Sequence, residues 1–258
     1  MAITPSTERV SMKMSTIAFA ATLLLAGAAQ AAPVRNVVLV HGLYADGSSW
    51  SEVIPHLQAA GLHVTSVQNP LTSLDDDVAA VQRVLALQDG PTVLVGHSYA
   101  GTVISQVGTD PKVAALVYVA ARAPDAGEDY GALAAKFPAT PIGKGLEKSG
   151  GFVQVSEEAF LRDFANDVPV IKARALYAVQ GRAAESLGTA RTTVAAWHTK
   201  PTWYAVSTQD RTTNSDLQRF LAKRMGAHTI EVASGHVSMI SHPAEIAQLI
   251  LDAVAAQK

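Results

Sequence analysis

A run at residues 36–40 is apolar almost without interruption, and the same strand-like pattern returns near 63–67, 92–95 and 113–119. Strands that read this way instead of alternating are buried on both faces. Segments of helical period separate them, at 50–60, 74–88 and 100–107. The alternation resumes late in the chain: a strand at 202–207, a helix at 215–225 closed by Gly226, a strand at 229–232, and a final helix after Pro243. Consecutive strands joined through helices pair in parallel, and the helices then cover both faces of the sheet. The expected class is therefore α/β with a mostly parallel sheet. The helix at 74–88 carries clear start signs, with Ser73 as its N-cap and Asp75, Asp76 and Asp77 near the positive end of its dipole. These acids read as electrostatic support for the helix and not as a metal site.

The interval 122–200 breaks the rhythm. It holds helical stretches at 156–165 and 170–180, separated by prolines and glycines, and no strong strand. An insertion of this length before the penultimate strand is most simply a helical cap over the C-terminal edge of the sheet, where open α/β sheets bind ligands. Phe137, Phe152, Phe160, Phe164, Leu176 and Tyr177 are its apolar candidates, some to pack on the sheet domain and others to line a pocket.

Residues 1–31 read as an export signal. Lys13 precedes an apolar run at 17–29, and Ala29-Gln30-Ala31 has the small-x-small form of a cleavage site. The run is shorter than the roughly 20 residues of a spanning helix, so no stable membrane insertion is expected after cleavage. Met12 offers an alternative start. Cleavage after Ala31 leaves residues 32–258, long enough for one domain with a substantial core and undivided by linkers or repeats. Without Glu8, Arg9 and Lys13, the 20 basic and 22 acidic side chains become 18 and 21. No basic stretch follows a phosphate backbone, so nucleic acid is not an expected partner. The chain has no cysteine, which excludes disulfides, thiolate metal sites and a cysteine nucleophile. A periplasmic or secreted location is the expectation.

The stretch Gly96-His97-Ser98-Tyr99-Ala100-Gly101 places a serine between a β-branched run and a helix. A serine on a tight strand-to-helix turn is exposed above the sheet edge and becomes a useful nucleophile. The flanking positions must be small, and the usual glycine two residues on is Ala100 here, with Gly101 following. The alternative is that Ser98 only caps the helix.

Such a serine needs a histidine to take its proton and a carboxylate to orient that histidine. His236 follows a short strand in Ala233-Ser234-Gly235-His236 and falls at the same sheet edge. His242, beside Pro243, reads as part of the start of the last helix, and His97 as structural. His56, His63, His198 and His228 have no supporting context. Asp210 follows the strand at 202–207, which gives the chain order Ser98, Asp210, His236. Asp125, after the preceding strand, is the substitute acid, and Asp216 belongs to the first turn of its helix. The oxyanion formed on attack requires backbone donors: the N–H of Tyr99, directly after the serine, and that of Leu43 in the turn Val40-His41-Gly42-Leu43. His41 is expected to brace that turn.

Together, Val40-His41-Gly42, Asp46-Gly47-Ser48-Ser49-Trp50, Gly96-His97-Ser98-Tyr99, Asp210 and Gly235-His236 resemble the α/β-hydrolases, in particular their small bacterial and plant-esterase-like branch. The resemblance runs from about Arg35 to the C-terminus, with the cap poorly matched. It implies a mostly parallel six-stranded sheet and a serine hydrolase that cleaves a small-molecule carboxylic ester through an acyl-enzyme, without metal or organic cofactor. The hydroxynitrile-lyase branch has a lysine after the catalytic histidine, where this chain has Val237. Dehalogenase and epoxide-hydrolase relatives use an aspartate where Ser98 stands. Cofactor-free haloperoxidase-like or lactonase activity on the same triad, or a catalytically silent binding protein of the same fold, are the alternatives. The sequence leaves the oligomeric state open.

Overall fold

The computed structural model describes residues 1–5 and 33–257. The expected export signal over 1–31 lies almost wholly outside the described residues.

The main sheet has six strands, all parallel: β1 (Asn36–Val40), β2 (His63–Ser66), β3 (Thr92–His97), β4 (Val113–Val119), and, after the insertion, β8 (Thr202–Ser207) and β9 (His228–Val232). Their spatial order is β2-β1-β3-β4-β8-β9. The near-continuous apolar runs belong to the four inner strands, which are buried almost throughout. The two edge strands are partly exposed, which is why His63-Val64-Thr65-Ser66 and His228-Thr229 tolerate polar side chains.

Strand side chains alternate between faces, and the core divides accordingly. Val38, Val40, Leu94, Leu116, Tyr118, Tyr204 and Val206 face one side, where they meet helices α2 (Leu74–Ala86), α3 (Ala100–Val107) and α7 (Ser215–Met225). Val37, Leu39, Val93, Val95, Val117, Trp203 and Ala205 face the other, against α1 (Ile54–Ala59), the short α8 (Ser238–Ser241) and α9 (Pro243–Ala255). The expected N-cap is in place, with Ser73 Oγ accepting from the Asp76 N–H at 3.1 Å. The single helix expected at 50–60 is instead a 3-10 turn, Gly47–Trp50, followed by α1. Pro55 has no N–H to donate and is tolerated only in a helix's first turn, so α1 begins beside it.

The insertion between β4 and β8 is not purely helical. It contains α4 (Tyr130–Ala134), α5 (Glu157–Ala159) running into a π-turn at Phe160–Phe164, and α6 (Val170–Ala178). It also contains a small antiparallel sheet of β5 (Leu146–Ser149), β6 (Phe152–Val155) and β7 (Ala183–Ala184). This corrects the expectation of a helical insertion with no strong strand. The hairpin closes at Gly150-Gly151, whose φ values of 61° and 79° suit the two-residue loop that the right-handed twist of paired strands favours. Among the described residues no helix is long and apolar enough to cross a membrane.

Candidate active site

The strand order reverses between β1 and β3: β2 lies on one side of β1, and β3 and β4 run away on the other. Ligands bind at such a point, outside the carboxyl ends of the strands. The turns after β1 and β3, which carry Leu43 and Ser98, emerge there side by side.

Ser98 has φ 54°, a left-handed conformation that is costly for a residue with a side chain. Hydrogen bonds on both sides impose it. The Ser98 N–H donates to Val119 O at 3.1 Å, and Ser98 O accepts from the N–H groups of Gly101 (3.1 Å) and Arg122 (2.9 Å). A Cβ on Gly42 would stand 2.7 Å from Ser98 Cβ, and one on Gly101 would strike the Arg122 carbonyl oxygen. The glycine at 101, one place later than the usual pattern, thus lets α3 close onto the chain after β4.

The three residues paired in the sequence reading meet. His236 Nε2 is 2.8 Å from Ser98 Oγ, and His236 Nδ1 is 2.8 Å from Asp210 Oδ2. The side chains of His236 and Asp210 have no exposed surface. Asp210 also accepts from the Thr212 and Thr213 N–H groups at 2.7 and 2.9 Å and from Gln218 Nε2 at 2.7 Å. Four donors thus fill the acceptor capacity of an ionised carboxylate. With Nδ1–H donating to Asp210, the lone pair of Nε2 is turned to the Ser98 hydroxyl. Asp125 stands elsewhere, half-exposed and 3.1 Å from His198. Asp216 sits in the first turn of α7, paired with Arg219, and His242 immediately precedes α9.

Several supporting residues carry no motif. Gln218, fully buried, donates to Asp210 Oδ2 and Thr213 O and accepts from the Ser207 N–H. It stands four and seven residues before the buried Ala222 and Met225, so helical spacing alone marks it as an inward-facing amide. His97 donates from Nε2 to His236 O at 3.0 Å, with the two rings 4.7 Å apart. Burial, reinforced by the neighbouring His236, holds its pKa well below the ordinary histidine value, so it is a neutral anchor. His41 braces its turn as expected: Nδ1–H donates to Gly42 O at 2.9 Å and Nε2 accepts from the Asn69 N–H at 3.0 Å. Asp77 does more than support a dipole. It accepts from the Tyr99 hydroxyl at 2.9 Å and from the Leu71 N–H at 2.8 Å. Burial pushes its pKa up to about 6 against those two hydrogen bonds.

Above Ser98 opens a cavity of about 560 Å³, within the range of small-molecule sites. Leu43, Tyr44 and Leu217 line it together with Tyr130, Phe137, Ile142, Leu146 and Phe164 of the insertion. Of the apolar cap candidates, Phe137 and Phe164 face the cavity, whereas Phe160 packs between Phe164 and Tyr177. Among the described residues the N–H groups of Leu43 and Tyr99 have no protein acceptor, and no group of three or more His, Asp or Glu is placed to hold a metal ion.

Solved structures share this architecture. A pyrethroid hydrolase from Sphingobium faniae superposes with a TM-score of 0.74 at 21% identity, covering 86% of this chain and 98% of that one. Polyneuridine aldehyde esterase does so at 0.73 and 19%, covering 85% and 98%. A methylesterase from Arabidopsis does so at 0.70 and 20%, covering 86% and 100%. No curated protein matches the sequence. The sequence profile of the alpha/beta hydrolase family matches residues 37–249, and the chain belongs to that family.

Proposed function

We propose that the protein is a serine hydrolase that cleaves a carboxylic ester through an acyl-enzyme. The observation that carries this reading is the continuous hydrogen-bonded path from Ser98 through His236 to Asp210, both links 2.8 Å, at the floor of a mostly apolar cavity. Ser98 Oγ attacks the ester carbonyl carbon as its proton passes to His236 Nε2. Asp210 holds the ring in the required tautomer and stabilises the imidazolium. The oxyanion is met by the free N–H groups of Leu43 and Tyr99. Collapse of the intermediate breaks the bond to the alkoxy group, which leaves as the alcohol with the proton from His236. Water, deprotonated by the same nitrogen, then releases the acid and restores Ser98. That the similar solved structures are an esterase, a pyrethroid hydrolase and a methylesterase supports this chemistry. Export through residues 1–31, leaving a periplasmic or secreted enzyme, belongs to the same reading.

A fluorophosphonate probe is expected to label Ser98, and Ser98→Ala is expected to abolish both labelling and turnover of 4-nitrophenyl esters. Undiminished turnover by the alanine variant refutes the proposal.

A further inference from the structure

Arg122 is the one charged side chain among the described residues lining the cavity that holds Ser98. It lies on the chain just after β4, and its own N–H donates to Ser98 O, so its position is tied to that of the nucleophile. Arg162, Arg174, Arg191, Arg211, Arg219 and Arg224 are each paired with a carboxylate. Arg122 has no such pair among the described residues; Arg35, Arg83 and Arg182 have none either, but they are exposed and lie outside the cavity. Its guanidinium lies 5.5 Å from the ring centroid of Tyr99 and 5.0 Å from that of Tyr130. Its Nη1 makes one long hydrogen bond, 3.3 Å, to Leu187 O.

A guanidinium has five N–H donors in a rigid fork. Aromatic faces partly compensate its charge, but they offer no strong acceptor in the plane of the fork. A half-buried cation of this kind, facing a mostly apolar cavity whose polar lining residues, Thr140, Thr212, Thr213 and Asn214 among them, include no carboxylate, lacks an anion. The planar partner that suits it is a carboxylate, bound through two parallel hydrogen bonds. We propose that Arg122 recognises a carboxylate on the substrate, so that the preferred esters are half-esters of dicarboxylic acids in preference to uncharged esters of equal length. This proposal rests on the reading of Ser98 as nucleophile.

The test compares kcat/KM for mono-4-nitrophenyl glutarate and 4-nitrophenyl valerate at low salt. The native protein is expected to favour the glutarate by about tenfold or more, and added salt to erode that preference. Arg122→Gln is expected to lower the ratio about tenfold and Arg122→Lys to retain part of it. Any general damage from disturbing Tyr99 or Tyr130 cancels in the ratio. A native ratio of one or below overturns the proposal, and so does a ratio unchanged in Arg122→Gln. A second measurement does not depend on turnover: titration calorimetry of the Ser98→Ala protein with monomethyl glutarate and with methyl valerate. Tighter binding of the anion, lost on adding Arg122→Gln, is the expected result, and equal binding overturns the assignment. Failure of the hydrolase reading is recognised separately, as native protein that neither turns over an ester nor reacts with the fluorophosphonate.

Discussion

Replacing Asp77 by asparagine is expected to flatten the pH dependence of stability. Asp77 has no exposed surface and accepts from the Leu71 N–H and the Tyr99 hydroxyl. Burial raises its pKa from 3.8 to about 6 in the folded chain. Between those two values the native state binds more protons than the unfolded state, so stability falls as pH rises through the window. At 1.36 kcal/mol per unit, the loss between pH 4 and pH 7.5 is about 2 kcal/mol. An asparagine keeps both contacts: its oxygen accepts from Leu71, and its amide donates to the Tyr99 oxygen, which can act as acceptor. It has no charge to bury.

The assay is urea unfolding of both proteins at pH 4 and pH 7.5 at one ionic strength. Their difference removes the contributions of every other carboxylate. The variant is expected to gain about 2 kcal/mol on the native chain between the two pH values, or about 4–8 °C in Tm for a domain of this size. Asp77→Ala orphans both donors and is expected to destabilise at either pH. A difference between native and asparagine proteins that does not move with pH, or that moves in the native protein's favour as pH rises, refutes the reasoning.

Asp210→Asn is expected to fold and to lose on the order of 10⁴-fold in kcat, by analogy with other serine triads. Asp125→Asn is expected to leave turnover near native, because that carboxylate is partnered by His198; the opposite outcome in a 4-nitrophenyl ester assay reassigns the acid. Expression in a Gram-negative bacterium is expected to give an exported protein that begins at Ala32, and an intact mass that retains residues 1–31 contradicts the cleavage site.

The inner strands and the meeting of Ser98, Asp210 and His236 were legible because their signals are local. Apolar runs mark β1, β3, β4 and β8, and each site residue falls just after a strand. Asp77 was also within reach. It stands four and eight residues before the buried Val81 and Leu85, which puts it on the inward face of α2, whereas Asp76 faces Ser73 and Thr72 at the exposed start of the helix. Reading the three acids as one group hid that difference. The hairpin at 146–155 was signed by Gly150-Gly151 but obscured by its polar strand, Leu146-Glu147-Lys148-Ser149, which is largely exposed. Partners far apart in sequence left no local trace. Nothing near His97 indicates that it holds the backbone of His236, 139 residues away.

The insertion also proves to have two parts with different relations to the chemistry. Residues 130–146 reach the cavity through Tyr130, Phe137, Ile142 and Leu146, and so shape what can bind. Residues 160–167 are bonded to the loops that carry Asp210 and His236. Asp163 Oδ1 accepts from Arg211 Nε at 2.8 Å and its carbonyl accepts from Thr212 Oγ1 at 3.2 Å, so the residues directly after Asp210 are held from the cap. Asp167 accepts from the Gly235 N–H at 2.7 Å, one residue before His236. The ring of Phe164 meets that of His236 edge to face, with centroids 5.2 Å apart. The i→i+5 hydrogen bond from Ala165 N–H to Phe160 O produces the π-turn from which Asp163 and Phe164 project. Such single-turn irregularities recur at functional sites because they redirect side chains within a helix. A change in the first part alters the apolar contacts available to substrate, whereas a change in the second loosens the Asp210 and His236 loops and, at Phe164, alters the cavity wall as well. On the proposed mechanism, the cap is therefore a specificity element at one end and part of the support of the catalytic geometry at the other.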